Sequence, residues 1–281
     1  MPATALALVI AAAFIHAAWN ALAKRAGDPF LFLWAAFSCA TALTLPVAIW
    51  QLAAAAHFDR RALVFLGATS TIHVVYFYAL GAAYRRSDFS QVYPVARGLG
   101  VALVPTPGWF LLGERLSLIG ALGIASVAGG IGLLALPAAR RRAGGGLGWA
   151  LLTGLTIAAY SLNDKVGVRT MHPLPYVCFL GVGSMSMLLP VVLRRRAALV
   201  EEWRQRRGTI LGAATMSSSA YLLVLLAFRL SKAAYVVAGR ELSIVLSTII
   251  GGLWLGEGWP RLRLVGSALI LAGVICVGLA R

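Results

Sequence analysis

The sequence predicts an all-α integral membrane protein with ten transmembrane helices in two inverted five-helix repeats, and three observations predict it. Of the 281 residues, 60% are hydrophobic and only 12% charged, with a mean hydropathy of +0.85. Soluble domains carry about 45–50% apolar and about 25% charged residues. Lys and Arg number 25 against 9 Asp and Glu, for a net charge of +16. These bases sit in short clusters between long apolar runs, as in the loops of a multi-pass protein. They are not spread over a soluble surface, so no nucleic-acid partner is expected. The third observation is that the chain repeats itself across its middle.

A membrane-crossing helix takes about 20 apolar residues. Ten such runs fit, at 3–23, 30–52, 62–83, 89–112, 117–136, 147–164, 174–193, 208–229, 234–256 and 262–280. The runs are continuous and lack period-two alternation, which favours helices over barrel strands. The first follows the uncharged start Met1-Pro2-Ala3-Thr4 and precedes Lys24-Arg25. A cleavable signal shows a basic segment before a shorter core, so a retained helix is expected. Loops are marked by Gly27-Asp28-Pro29, by Arg140 to Gly146, and by the longest stretch, Arg194 to Gly208. Little chain is left for a soluble catalytic or ligand-binding domain. Cys39, Cys178 and Cys276 fall inside apolar runs without metal-ligand spacing, and no metal or cofactor is expected.

The repeat reads directly. Leu112-Gly113-Glu114 ends the fourth span and Leu255-Gly256-Glu257 the ninth, 143 residues later, and at that offset Arg97 falls on Arg240. Ala17 to Lys24 lies over Ala158 to Lys165, 141 residues on, and Gly120 and Gly266 open the fifth span of each half. The expected units are 1–139 and 147–281, joined by a linker at 140–146. Five crossings is an odd number, so the second half enters the bilayer from the opposite side. Inverted repeats of this kind build alternating access around a site near the midplane.

Ionisable groups inside spans are expensive and mark functional positions. His16 and Asn20, four apart, share a helix face with Trp19 beside them. They form either a helix–helix hydrogen bond or a polar patch on a cavity wall. Tyr160 and Ser161 occupy the matching places in span six. Span three offers His73 and Tyr76, and span eight offers Ser217, Ser218, Ser219 and Tyr221, where small residues serve either close packing or ligand contact. Arg97 follows Tyr93-Pro94, with Pro105 and Pro107 further on, and prolines break helices and leave carbonyls to be satisfied. Arg240 is followed by Glu241. Either Glu241 pairs with Arg97 between the halves, or one arginine captures a substrate carboxylate. Glu114 and Glu257 read as interface-level anchors after helix-ending glycines, and Asp164-Lys165 as a boundary pair. No P-loop, Gly-x-Ser-x-Gly element or His-Glu-x-x-His helix occurs, which leaves ATP-driven or hydrolytic chemistry without parts. Proton coupling through His16 or His73 is compatible with histidine's titration near neutrality.

His16-Ala17-Ala18-Trp19-Asn20, Tyr93-Pro94-Val95-Ala96-Arg97-Gly98, and the doubled Gly-Glu endings, the first followed by Arg115-Leu116-Ser117, resemble the EamA-like transporters of the drug/metabolite transporter superfamily. The resemblance runs over essentially the whole chain. It implies a carrier rather than an enzyme, a multi-pass protein of a bacterial-type inner membrane that exports amino acids, aromatic or other apolar ones among them. The small multidrug pumps of this superfamily carry a mid-span glutamate in span one, and neither span one nor span six has an acid mid-span here. The expected partners are a small-molecule substrate, the lipid bilayer and candidate protons, with the protein as a monomer. The expected binding residues are His16, Trp19, Asn20, His73, Tyr76, Tyr93, Arg97, Tyr160, Ser161, Tyr221, Arg240 and Glu241. The nearest alternative is a carrier of anionic metabolites, phosphorylated, phosphonate or dicarboxylic, and a further one is a lipid flippase or an intramembrane enzyme. The loop charges place both termini outside, with six arginines of 194–207 inside, whereas the resembled family is drawn with both termini inside.

Overall fold

The computed structural model describes residues 1–23, 26–55, 58–86, 89–140, 146–246, 249 and 261–280, without the side chains of 21, 23, 84, 85, 89–94 and 137–140. The described elements are helices: α1 (Ala3–Ala23), α2 (Pro29–Ala53), α3 (Arg61–Arg86), α4 (Phe89–Leu103), α5 (Pro105–Leu112), α6 (Leu118–Arg140), α7 (Leu147–Thr170), α8 (Pro173–Leu193), α9 (Arg196–Leu230), α10 (Ala233–Arg240) and α11 (Arg261–Leu279). Lys24, Gly256 and Glu257 fall outside the described residues. Among the described residues, eight stretches are long and apolar enough to cross a membrane: α1, α2, α3, α4 with α5, α6, α8, α9 and α11. Large apolar side chains such as Trp50, Val64, Leu111 and Leu118 point outward, while Thr153, Ser161, Asp164 and Lys165 are buried. Apolar outside and polar within is the distribution that a lipid solvent selects.

Local chemistry sets the helix ends. Asp28 caps α2, accepting from Phe30 N and Leu31 N at 3.1 Å each, and Pro29 takes the first helical position, where a missing N–H is harmless. Gly113 closes α5 in the left-handed conformation (φ 65°), as a helix-ending glycine does. The fourth span is not one helix. It breaks at Val104 because Pro105 and Pro107 cannot continue the ladder, and Pro105 starts α5 instead.

The stretch expected as the longest loop, Arg194 to Gly208, is helical from Arg196 onward, and α9 runs 35 residues with one non-helical residue, Arg206 (φ −133°, ψ 19°). Its composition explains the difference, since Ala, Leu, Glu, Gln and Arg are strong helix formers. Glu202 is buried there and accepts from Gly27 N (3.2 Å) and Asp28 N (3.1 Å), fixing the turn into α2.

The helices interleave between the two halves. α1 lies along α9 and α3 along α7, α2 packs on both α8 and α9, and α3 also meets α8. α4 rests on α6 and α7, while α10 touches α1. α6 and α11 form the most extensive pairing. A Cβ added at Gly123 would stand 2.8 Å from Gly273 O, and one at Gly130 2.6 Å from Gly266 O. Two helix backbones thus touch along a glycine seam, as small residues permit in membranes. Ser126 Oγ adds a bond to Leu269 O at 2.8 Å. Gly120, near the start of α6, faces Tyr235.

Candidate binding cavity

The interleaved helices leave a cavity of about 250 Å³ between α1, α2, α3, α4, α7, α8, α9 and α10. Nine of the expected residues line it: His16, Trp19, Asn20, His73, Tyr76, Arg97, Tyr160, Tyr221 and Arg240. Three do not. Tyr93 lies on α4 with its side chain outside the described residues. Ser161 is fully buried and turned back on its own helix, donating to Ile157 O at 2.6 Å, a bond that serine readily makes mid-helix. Glu241 is buried behind the wall, bound to Arg97.

On one wall, α1 presents a locally ordered triad. Trp19 Nε1 donates to His16 Nδ1 at 3.2 Å with the rings edge-on, 5.0 Å between centroids, so the remaining imidazole proton is on Nε2. Asn20 Nδ2 donates to His16 O at 2.7 Å. The opposite wall is aromatic. The His73 ring lies 4.5 Å from Tyr160, 5.9 Å from Tyr221 and 6.1 Å from Tyr76. His73 Nδ1 meets Thr69 O at 2.9 Å, which anchors the ring to its own helix and turns Nε2 away from that carbonyl. Edge and tilted ring contacts of this kind hold the side chains rigid.

The two arginines differ. Arg97 Nη2 is 2.7 Å from Glu241 Oε1 and its Nε donates to Oε2 at 3.0 Å, a two-point pairing with both residues buried. Of the two readings of Glu241, the structure supports the ion pair between halves. Arg240 makes no ion pair among the described residues, and its guanidinium carbon stands 6.0 Å over the Tyr221 ring. The wall therefore carries two guanidiniums and one carboxylate behind them.

Several contributors were not expected. Thr41 and Thr44 from α2 and Thr153 from α7 add hydroxyls, and Phe37 and Phe77 add rings. Threonine inside an apolar span bonds its own helix, as Thr41 does with Phe37 O at 2.8 Å, so no sequence signal separates it from packing. Ser217 and Ser218 reach the wall.

Beyond Tyr160 on α7, buried polar groups join several helix ends. Lys165 is buried, donates to the carbonyl oxygens of Phe228 and Ser231 at the end of α9, and stands 3.8 Å from Glu114 Oε1. Glu114 in turn accepts from Ala233 N at 2.9 and 2.8 Å, capping α10. Tyr235 Oη accepts from Ser117 N at 3.0 Å. Lys165 and Glu114 were expected as separate boundary and interface residues, and they are joined because the starts and ends of four helices meet here. Asp164, expected as the boundary partner of Lys165, is fully buried and bonds elsewhere: Tyr176 Oη donates to its Oδ1 at 2.8 Å, Asn163 Nδ2 is 3.3 Å away, and Tyr221 Oη donates to Oδ2.

No curated protein matches the chain. A solved crystal structure of a protein has the same fold, with a TM-score of 0.71 at 16% identity, covering 99% of this chain and 98% of that one. Residues 144–279 match the model of the EamA-like transporter family. The second half of the chain is thus similar to that family, and the described apolar helices are those of a multi-pass integral membrane protein.

Proposed function

We propose that the protein carries small zwitterionic metabolites, amino acids with aromatic or other apolar side chains foremost, outward across a bacterial-type inner membrane by alternating access. The observation that carries this reading is the lining of the central cavity, with one arginine outside any ion pair among the described residues facing an aromatic wall. Arg240 suits a substrate carboxylate, the His73–Tyr76–Tyr160–Tyr221 cluster suits an apolar side chain, and the His16–Trp19–Asn20 edge suits an amino group. Because Glu241 engages Arg97, Arg240 is the arginine left to meet a substrate, which favours a single carboxylate over a doubly charged anion.

Two inverted repeats are part of the proposal. Exchanging α1 with α7, α2 with α8, α3 with α9, α4 with α10 and α6 with α11 turns the α1–α9 contact into α7–α3, and α2–α9 into α8–α3. A shift of 143 residues likewise turns the Gly123–Gly273 contact into Gly266–Gly130. Both support the reading and suit a carrier whose halves rock about a fixed site.

The test is flux into proteoliposomes containing only this protein, across labelled amino acids and organic anions. Uptake of phenylalanine or leucine, lost in Arg240→Ala, is the expected result. Uptake of phosphorylated or dicarboxylic anions alone would replace this reading with the anionic one.

A further inference from the structure

Asp164 lies one helical turn beyond Tyr160 on α7, between the cavity and the helix ends joined by Lys165 and Glu114. It is fully buried, yet no ion pair holds it among the described residues, and its partners are two phenols and an amide. The contrast with Glu241 is one of partners: Glu241 faces the guanidinium of Arg97, a permanent cation. A phenol instead donates to a carboxylate or accepts from a carboxylic acid, so the shell around Asp164 satisfies both protonation states by rotating O–H bonds. One of those phenols, Tyr221, also lines the cavity and so connects Asp164 to its contents.

Resting on the transport reading above, we infer that Asp164 is a proton-binding site that couples transport to a proton gradient, with the Tyr221 hydroxyl as its relay to the cavity. On loading, the Tyr221 O–H passes its proton to Asp164 Oδ2 and takes one from the cavity. Asp164 becomes a neutral acid, one proton is bound, and no other bond changes. On release, the same steps run backwards, Asp164 Oδ2 returning its proton to Tyr221 and Tyr221 giving one up to the cavity, while Asn163 and Tyr176 donate to Phe65 O at 3.0 and 3.4 Å on the other side of the carboxyl. The groups set against this site are Asn163 on α7, Tyr176 on α8, Tyr221 on α9 and His73 on α3, with Tyr160 on α7 and Arg240 on α10 against Tyr221, and the Lys165–Glu114 pair turned toward the end of α9. The arrangement moves coupling from His16 and His73, which the sequence alone nominated, to an acid that it read as a boundary residue.

Infrared difference spectroscopy of the purified protein in lipid, titrated with acid, reads the site without any substrate. A carboxylic-acid C=O band that titrates in the wild type and is missing in Asp164→Asn supports the proposal. A titration unchanged in Asp164→Asn overturns it. If Asp164→Asn does not fold, Tyr176→Phe leaves the carboxyl in place with one bond fewer, and an unmoved band there overturns it equally. In proteoliposomes loaded with labelled phenylalanine, a one-unit pH gradient exchanged one-for-one sustains about a tenfold concentration ratio. The wild type should build that ratio and Asp164→Asn should not, and a variant that builds it as well removes the coupling role. A wild type that moves no phenylalanine while its infrared band behaves as expected defeats the amino-acid reading and leaves the proton site standing.

Discussion

Arg97 and Arg240 stand 143 residues apart in the two halves of the sequence, on the same cavity wall, with different partners. Arg97 is locked in a two-point pair with Glu241, whereas Arg240 lies over the Tyr221 ring with no ion pair among the described residues. The reason is one position further along. At the same offset, Glu241 corresponds to Gly98, so only the second half supplies a carboxylate. A doubled framework with two arginines and one acid necessarily leaves one guanidinium over. The lesson is that a repeat copies positions, and a single unmatched residue assigns them different tasks.

The sharpest break in this comparison is Arg97→Ala, which strands Glu241 in the interior. Removing one partner of a buried pair costs about 3–5 kcal/mol, so thermal unfolding in detergent should fall far below wild type. The double variant Arg97→Met with Glu241→Gln should recover most of that loss, and a full-strength defect in the double variant would mean that the pair is not what holds the halves. Arg240→Ala should leave unfolding nearly unchanged and lower carboxylate transport about 10- to 100-fold, the worth of a charge-assisted bond of about 1.5–3 kcal/mol. If instead Arg240→Ala unfolds and Arg97→Ala transports normally, the two roles are reversed. Tyr160→Leu removes ring contacts worth about 0.5–1.5 kcal/mol and should weaken aromatic substrates several-fold relative to leucine in competition assays. The smallest effect is expected from Asn20→Ala, whose bond to His16 O is local, and a few-fold rise in half-saturating concentration is the measurement that checks it.

Much of this was legible before any coordinates. Hydropathy alone placed α1, α2, α3, α6, α8 and α11 to within a few residues at most ends, because lipid enforces length and apolarity together. The polar and aromatic exceptions inside the apolar runs gave nine cavity residues, five of them on α1 and α3 and the others on α4, α7, α9 and α10. The failures have physical causes. Arg194 to Gly208 looked like a loop because charge was weighed over helix propensity, yet charged residues form helices well outside the bilayer. Ser161 was nominated because Tyr160 and Ser161 fall on Trp19 and Asn20 at the repeat offset, yet neighbours on a helix point about 100° apart, and its hydroxyl bonds its own helix. Asp164 was assigned to the membrane boundary because Lys165 follows it. Their side chains diverge, one to the phenols of α8 and α9 and the other to the carbonyls at the end of α9, and only the folded arrangement separates them.

The junction around Lys165 has a consequence for how that end of the molecule yields. One ammonium serves the tail of α9, and the carboxylate beside it serves the head of α10. Drawing α7 away would strand carbonyls, a backbone N–H and both charges in the same movement, with no intermediate in which only some of them are released. Such a knot does not loosen by degrees. It favours two discrete positions, so passage through this end should show a threshold, with long dwell times on either side and rapid crossings between them.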